Sequence, residues 1–391
     1  MSGRRHVALG AAVGVVLALG ILGLRARAGE HAPRVPSAPL AERLVADDTG
    51  PLREIIMHYV PELEPAFGAA YRAFLGTLPE KTRVVFVVRR GGGAALEAFL
   101  ARIDASAVLS RARVVEIDVA LGIWSKDRAL VLDPAQAETR QVLLIPPRPR
   151  RGEVSRPGDW PIAAAVAEAL PESFELRSLP VAFDAGDFAI SGGRVVVDVN
   201  LFARNRSRGF RSPDELRDKL RTLLGRDVVM LGTDVGDVPR HHMSMYMAPL
   251  GDGTVLVGDP AAGASLVGRD YVPGEVSPET GAPLRADFSP ETLARFERAA
   301  RDLATAGFRV VRIPTVPFDD KTYFAYTNGI YETRDGQRTA WVPRFDVPSL
   351  DQAAAKIYEA LGFRVVPVPV RAIYTQHGTI GCLVNVVARG D

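Results

Sequence analysis

From about residue 50 to the C-terminus, short apolar runs alternate with longer stretches of helical period. Runs rich in Val and Ile at 84–88, 114–119, 130–132, 141–145, 194–199, 228–231, 254–257, 308–313 and 363–370 predict strands. Branched side chains suit the pleated, half-buried surface of a sheet. Stretches at 94–103, 161–170, 213–224, 290–306 and 349–361 repeat their apolar positions at a helical period and predict amphipathic helices. Pro161 follows Trp160, and Pro213 and Pro290 each follow a serine, which suits proline in a first helical turn. Ser349 can cap the last helix. Strands separated by helices over this length indicate an α/β protein. The Pro- and Gly-rich stretch 263–286 interrupts the rhythm and predicts an inserted loop.

Against this pattern a few polar residues stand out. Asp127 follows Trp124 at a predicted strand end. Asp184 lies in Phe183-Asp184-Ala185-Gly186-Asp187-Phe188, and His241 and His242 precede the alternating run 243–247. Asn328 follows Tyr326-Thr327, and Cys382 lies in Gly381-Cys382-Leu383-Val384-Asn385. Asp127 to Asp184 is 57 positions, Asp184 to His242 is 58, His242 to Asn328 is 86, and Asn328 to Cys382 is 54. Three intervals nearly match, and the long one contains 263–286. A unit of this length, holding a few strands and one helix, predicts cyclic repetition of one module that delivers one polar residue per module to a shared axis.

Composition narrows the options. Apolar residues make up 47% and charged residues 24% of the 391 residues, at a net charge of +2, which is enough for a substantial core without a nucleic-acid footprint. One cysteine excludes an intrachain disulfide and leaves Cys382 as either a small buried apolar group or a reactive thiol. Arg4 and Arg5 precede an apolar run at 7–24, followed by Ala26-Arg27-Ala28. Residues 1–28 therefore read as a signal peptide or as an uncleaved membrane anchor. Residues 29–48 read as a linker and 49–391 as the folded domain. The expected location is exported: periplasmic, secreted, or anchored to the membrane through 7–24. Zinc-type Cys/His spacing, a phosphate loop and a dinucleotide fingerprint are lacking, and Gly91-Gly92-Gly93 has no accompanying lysine.

The polar blocks resemble those of agmatine deiminase and the related bacterial peptidylarginine deiminases, members of the guanidine-modifying (pentein) superfamily. Trp124-Ser125-Lys126-Asp127 resembles the W-x-R-D block, and 183–188 is similar to the E-G-G-D block with Asp184 in place of Glu. His242-Met243-Ser244 resembles the H-x-D segment, followed at 252–259 by its hairpin. Tyr326-Thr327-Asn328 and Trp341-Val342-Pro343 are similar to the blocks of the fourth module. Gly378-Thr379-Ile380-Gly381-Cys382-Leu383 resembles the nucleophile block G-x-x-H-C-L. The resemblance runs in order over about residues 50–391. It implies a five-module ββαβ α/β-propeller with pseudo-fivefold symmetry, which agrees with the spacing.

The resemblance further implies Cys382 as nucleophile, His242 as acid/base and Asp184 as its carboxylate partner. Asp127, Trp124, Ser244 and Asn328 are the implied substrate-binding residues. Such a site would hydrolyse a guanidino group of arginine or an arginine-like or peptidyl substrate through a thiouronium on Cys382, with neither metal nor organic cofactor. Other roles fit the same residues. Asp127 with Arg128 is also the pattern of a surface ion pair, Asp184 and Asp187 also suit a turn beside Gly186, and Asn328 also suits a structural role. His241 and His377 are neighbouring candidates for the base. If His241 and His242 lie on a strand, their side chains point to opposite faces. Ser244 and Gly381 depart from the family blocks, which carry Asp and His there, and Asp237 and Asp252 lie close enough in sequence to be considered as replacements. The departures keep open a protein that binds a cationic ligand or a partner without turnover, and an amidinotransferase.

Overall fold

The computed structural model describes residues 43–48, 50–133, 140–150, 153 and 157–390. The apolar run 7–24, and the signal or anchor read from it, lie outside the described residues. Among the described residues no helix is long and apolar enough to cross a membrane.

The α/β class holds, and one order of elements recurs in five sheets. In each, two strands pair antiparallel, and the second of them then pairs parallel with a third strand after a helical crossover. Ala189–Ser191 and Arg194–Asp198 are antiparallel, and Asp227–Leu231 lies parallel beyond the helices Val199–Asn205 and Pro213–Leu224. The same order runs through Leu130–Asp133, Gln141–Ile145, the helix Ile162–Ala169 and Phe174–Ser178. It recurs in Met247–Pro249, Thr254–Asp259, two helices and Arg309–Pro317, and in Ile330–Arg334, Gln337–Arg344, the helix Pro348–Ala360 and Phe363–Pro369. The fifth sheet joins the two ends of the fold. Val384–Arg389 pairs antiparallel with Leu52–His58, opposing Val384 to Met57, and Leu52–His58 pairs parallel with Arg83–Arg89.

Periodicity explains how these sheets pack. Side chains alternate across a strand, so Val131 and Leu143 enter one apolar core while Leu130, Leu132, Val142 and Leu144 enter a second. The run Val84–Val88 is buried throughout, as expected of a strand covered on both faces. Capping follows the serines that precede proline: Ser212 Oγ accepts from Glu215 N at 3.1 Å, and Ser289 Oγ accepts from Thr292 N at 3.2 Å.

Three expectations need correction. The predicted loop 263–286 begins inside a helix, Pro260–Val267, which Pro260 starts and Asp259 caps through Ala262 N at 2.9 Å. Gly263 lets this helix lie against the strand Arg309–Pro317, because a Cβ there would overlap Thr315 O. Residues 43–48, expected in the linker, belong to the folded part: Arg43–Leu44 pairs with Leu132–Asp133, and Asp48 accepts from Ser191 Oγ at 2.5 Å. Asp127 lies within a 3₁₀ turn, Ser125–Arg128, rather than at a strand end, and the run 243–247 that follows His242 opens with a 3₁₀ turn, Met243–Met245, rather than a strand.

His58 ends its strand fully inside the protein, donating from Nδ1 to Gly122 O at 2.6 Å. Burial lowers its pKa from 6.5 to about 3, against the opposing pull of the Gly122 carbonyl. Below pH 6.5 the unfolded chain therefore takes up a proton that the folded chain refuses. Each pH unit from 6.5 down to about 3 should remove about 1.4 kcal/mol of stability through this group. Urea unfolding midpoints across that window should fall less steeply in His58→Gln than in the parent. Gly263→Ala should lower stability by about 1–3 kcal/mol, read from the same unfolding curves.

Candidate active site

The sharpest local signal in the sequence, the segment 183–188, folds into a single 3₁₀ turn, Ala185–Asp187, closed by a reciprocal capping box. Asp187 accepts from Asp184 N at 2.8 Å, and the Asp184 side chain accepts from the Asp187 amide. Both aspartates are thus turn residues, and both also project a second oxygen toward the same imidazole. His242 Nε2 stands 3.5 Å from Asp184 Oδ2 and 4.0 Å from Asp187 Oδ1. Gly186 between them is required by that approach, since a Cβ would come within 2.6 Å of His242 Nδ1.

The other ring nitrogen faces Asp127, with Nδ1 3.3 Å from Asp127 Oδ1. Asp127 sits on the 3₁₀ turn Ser125–Arg128, which is fixed to the strand Leu52–His58 by Ser125 Oγ donating to Ile56 O at 2.8 Å. Arg128 lies 3.5 Å from Asp127 and 3.4 Å from Asp159, as the adjacent residues suggested, but the pair is buried rather than on the surface. Trp124 is buried, with its ring seated on Gly378, where a Cβ would come within 2.5 Å of it.

His242 precedes the 3₁₀ turn Met243–Met245. Burial by itself would lower its pKa; Asp127, the bond to Asp184, contact with Cys382 and the Asp187 charge outweigh it and hold the imidazole well above 6.5. Cys382 lies in the short helix Ile380–Leu383, immediately before the closing strand Val384–Arg389, and is 3% exposed. Its Sγ accepts from Asn328 Nδ2 at 3.1 Å, and the same amide reaches Met245 Sδ at 2.8 Å. Asn328 therefore touches the thiol itself.

The structure thus brings together Cys382, His242, Asp184, Asp127 and Asn328. The remaining candidates lie elsewhere. His241 accepts from His242 N at 2.6 Å and turns its ring toward Tyr323, with ring centres 6.0 Å apart. His377 adopts a left-handed conformation, with Nδ1 3.2 Å from Thr322 Oγ1 and Nε2 3.5 Å from Glu279. Asp237 accepts from its own loop at Thr233 and Asp234, and Asp252 occupies a left-handed turn position in a hairpin. Neither replaces a carboxylate at position 244. Ser244 and Gly381 both line a cavity of about 50 Å³ with Gly186, Thr327 and Lys126. Glycine at 381 has a steric cause, because a Cβ would overlap Asn328 Oδ1.

One residue of the site is not apparent from sequence. Arg204, at the end of the helix Val199–Asn205, places NH1 3.2 Å from Asp184 Oδ2 and pairs through NH2 with Asp187 Oδ1. Its only local signal is a basic run, Arg204-Asn205-Arg206, which resembles a solvated face.

Neither a protein-family model nor a curated protein sequence matches the chain. Solved structures do match it in three dimensions. The agmatine deiminase of C. jejuni superposes with a TM-score of 0.62 at 13% identity, over 89% of this chain and 96% of that one. The agmatine deiminase of Enterococcus faecalis superposes with a TM-score of 0.63 at 15% identity, over 92% of this chain and 100% of that one. At such identity the likeness is one of architecture, extending over nearly the whole length of both proteins. The chain has the fold of the agmatine deiminases, the pentein-type α/β fold.

Proposed function

We propose that this chain is a hydrolase of the deiminase type, acting on a guanidino group of arginine or of an arginine-like or peptidyl substrate. The observation that carries the reading is one buried constellation, Cys382–His242 with Asp127 and Asp184, in a fold shared with agmatine deiminases. The five sheets are read here as the five modules of a propeller with pseudo-fivefold symmetry, whose axis gathers residues remote in sequence. The recurrence of one element order in all five sheets supports that arrangement. The apolar run at 7–24 supports export of the protein.

Charge balance favours a single cation as substrate. Around His242 the carboxylates of Asp127, Asp159, Asp184 and Asp187 face the guanidiniums of Arg128 and Arg204 and the imidazolium itself. The thiolate formed on Cys382 adds negative charge to this group, so a bound cation is favoured over an anion. A guanidinium suits that site, with Asp127 accepting its N–H bonds.

The reaction follows from the residues in contact. The Cys382 thiolate attacks the guanidino carbon, and the carbon–nitrogen electron pair collapses toward the leaving nitrogen as the His242 imidazolium protonates it. Ammonia departs and leaves a thiouronium on Sγ. Neutral His242 then removes a proton from water, the hydroxyl adds to the carbon, and as the C–S bond breaks the hydroxyl proton passes to the released ammonia or solvent, returning the thiolate and a ureido product. His242 stays protonated to higher pH than a free imidazole, so the step that needs imidazolium weakens as pH rises through its raised pKa. The contribution of His242 to stability, present below 6.5, is lost over the same rise.

Ser244 favours a second reading, a relative that binds a cationic ligand or a partner without turnover, because it supplies no charge where the family blocks carry Asp. An amidinotransferase would instead pass the amidino group to an amine. Ammonia release from arginine, acetyl-arginine amide and agmatine separates these. The deiminase reading expects release from at least one compound and a loss of at least about 10³-fold in Cys382→Ser. Undiminished release in Cys382→Ser contradicts it, absence of release from all three by folded protein favours binding alone, and a new guanidino product formed with an added amine favours the transferase.

A further inference from the structure

The Asp184–Asp187 turn places two buried carboxylates on one side of a single imidazole. Such a pair does not stay doubly ionised without a compensating charge, since each carboxylate raises the other's affinity for a proton. Arg204 supplies that charge to both at once. The helix that carries Arg204 is itself tied to the histidine segment. Its N-cap, Asp198, accepts from Asn200 N at 2.9 Å and from Tyr246 Oη at 2.7 Å, and Tyr246 follows the 3₁₀ turn that His242 begins. One short helix thus connects both sides of the imidazole, through Tyr246 at its start and through the carboxylates at its end.

We propose that Arg204 is a positioning residue: its guanidinium favours the ionised forms of Asp184 and Asp187 and aims both at His242, and thereby sets the protonation of that imidazole. The groups that face His242 from every side enter this balance. Asp127 faces Nδ1, with Arg128, Asp159 and neutral His58 behind it; Asp184 and Asp187 face Nε2, with Arg204 behind them; Cys382 touches the ring, and His241 lies next to it. Among these, Arg204 is the cation that engages two of the carboxylates facing Nε2. Its catalytic meaning rests on the role given to His242 above, whereas its effect on protonation does not.

Histidine NMR on the full chain tests the proposal without any substrate. The chain has six histidines, and a His242→Gln spectrum identifies the signal of His242 by difference. In Arg204→Gln one of the two carboxylates should take up a proton, and with that negative charge lost the titration midpoint of His242 should fall by about one pH unit. Arg204→Lys keeps the charge but cannot span both carboxylates, and should lower the midpoint by a smaller amount. This lysine variant also serves if Arg204→Gln does not fold. A midpoint that stays in place in the folded variants overturns the proposal, even if their melting temperatures fall. With a substrate that the parent turns over, kcat should drop about tenfold in Arg204→Gln while KM changes little. A change confined to KM overturns it as well. Lack of turnover in the parent bears on the deiminase reading alone and leaves the titration result standing.

Discussion

Buried charge around one imidazole is the constraint on which the rest of this structure depends. Carboxylates, guanidiniums and a histidine removed from water lose several kcal/mol of solvation each, and they remain ionised only where partners are placed for them. The placement is made by turns anchored on different sheets. Ser125 holds the Asp127 turn to the strand Leu52–His58, the capping box holds Asp184 and Asp187, and the helix Val199–Asn205 brings Arg204 across to them. The closing strand Val384–Arg389 runs antiparallel to Leu52–His58, so the Cys382 turn lies beside the Asp127 turn although the two are remote in sequence. Register in the fifth sheet is therefore a condition for the thiol and the first carboxylate to meet at all.

The two positions that depart from the family blocks have a common location. Ser244 and Gly381 line the same small cavity, and Gly381 gives Asn328 the space to approach Cys382 Sγ. A side chain at 381 and the amide of Asn328 cannot occupy that space together, so this departure belongs to the way the thiol is packed. Ser244 differs in kind. Its backbone oxygen accepts from Thr327 Oγ1 at 2.8 Å, and no charge is gained at that position. Under the proposed function, a guanidinium would then be held mainly from the Asp127 side.

Much of the architecture was legible because its signals are local. The run at 141–145 and the helix Pro213–Leu224 coincide with the observed elements, since branched runs, serine caps and helical period need no distant information. The convergence of Cys382, Asp184 and His242 was legible through ordered blocks. Proline and glycine misled at Pro260–Val267: Pro260 starts a helix, and Gly263 serves close packing against Thr315 rather than a loop. The alternation of Met243, Met245 and Met247 suggested a strand, but the first two lie in a 3₁₀ turn that buries both. Arg204 was not legible because its partners lie 17 and 20 residues upstream and meet it only through tertiary packing. His58 was hidden for the same reason, as a strand-end histidine whose partner is the Gly122 carbonyl.

The central claim is that Cys382, His242 and the carboxylates act together on one guanidino carbon, with sulfur forming the bond. Acid quenching during turnover, followed by mass analysis of the peptide that contains Cys382, tests this most directly. The account predicts a substrate-derived amidino adduct on Cys382 that is absent in Cys382→Ser and absent without substrate. A guanidino substrate consumed at full rate, with Cys382 unmodified at every quench time and no loss of rate in Cys382→Ser, would contradict it.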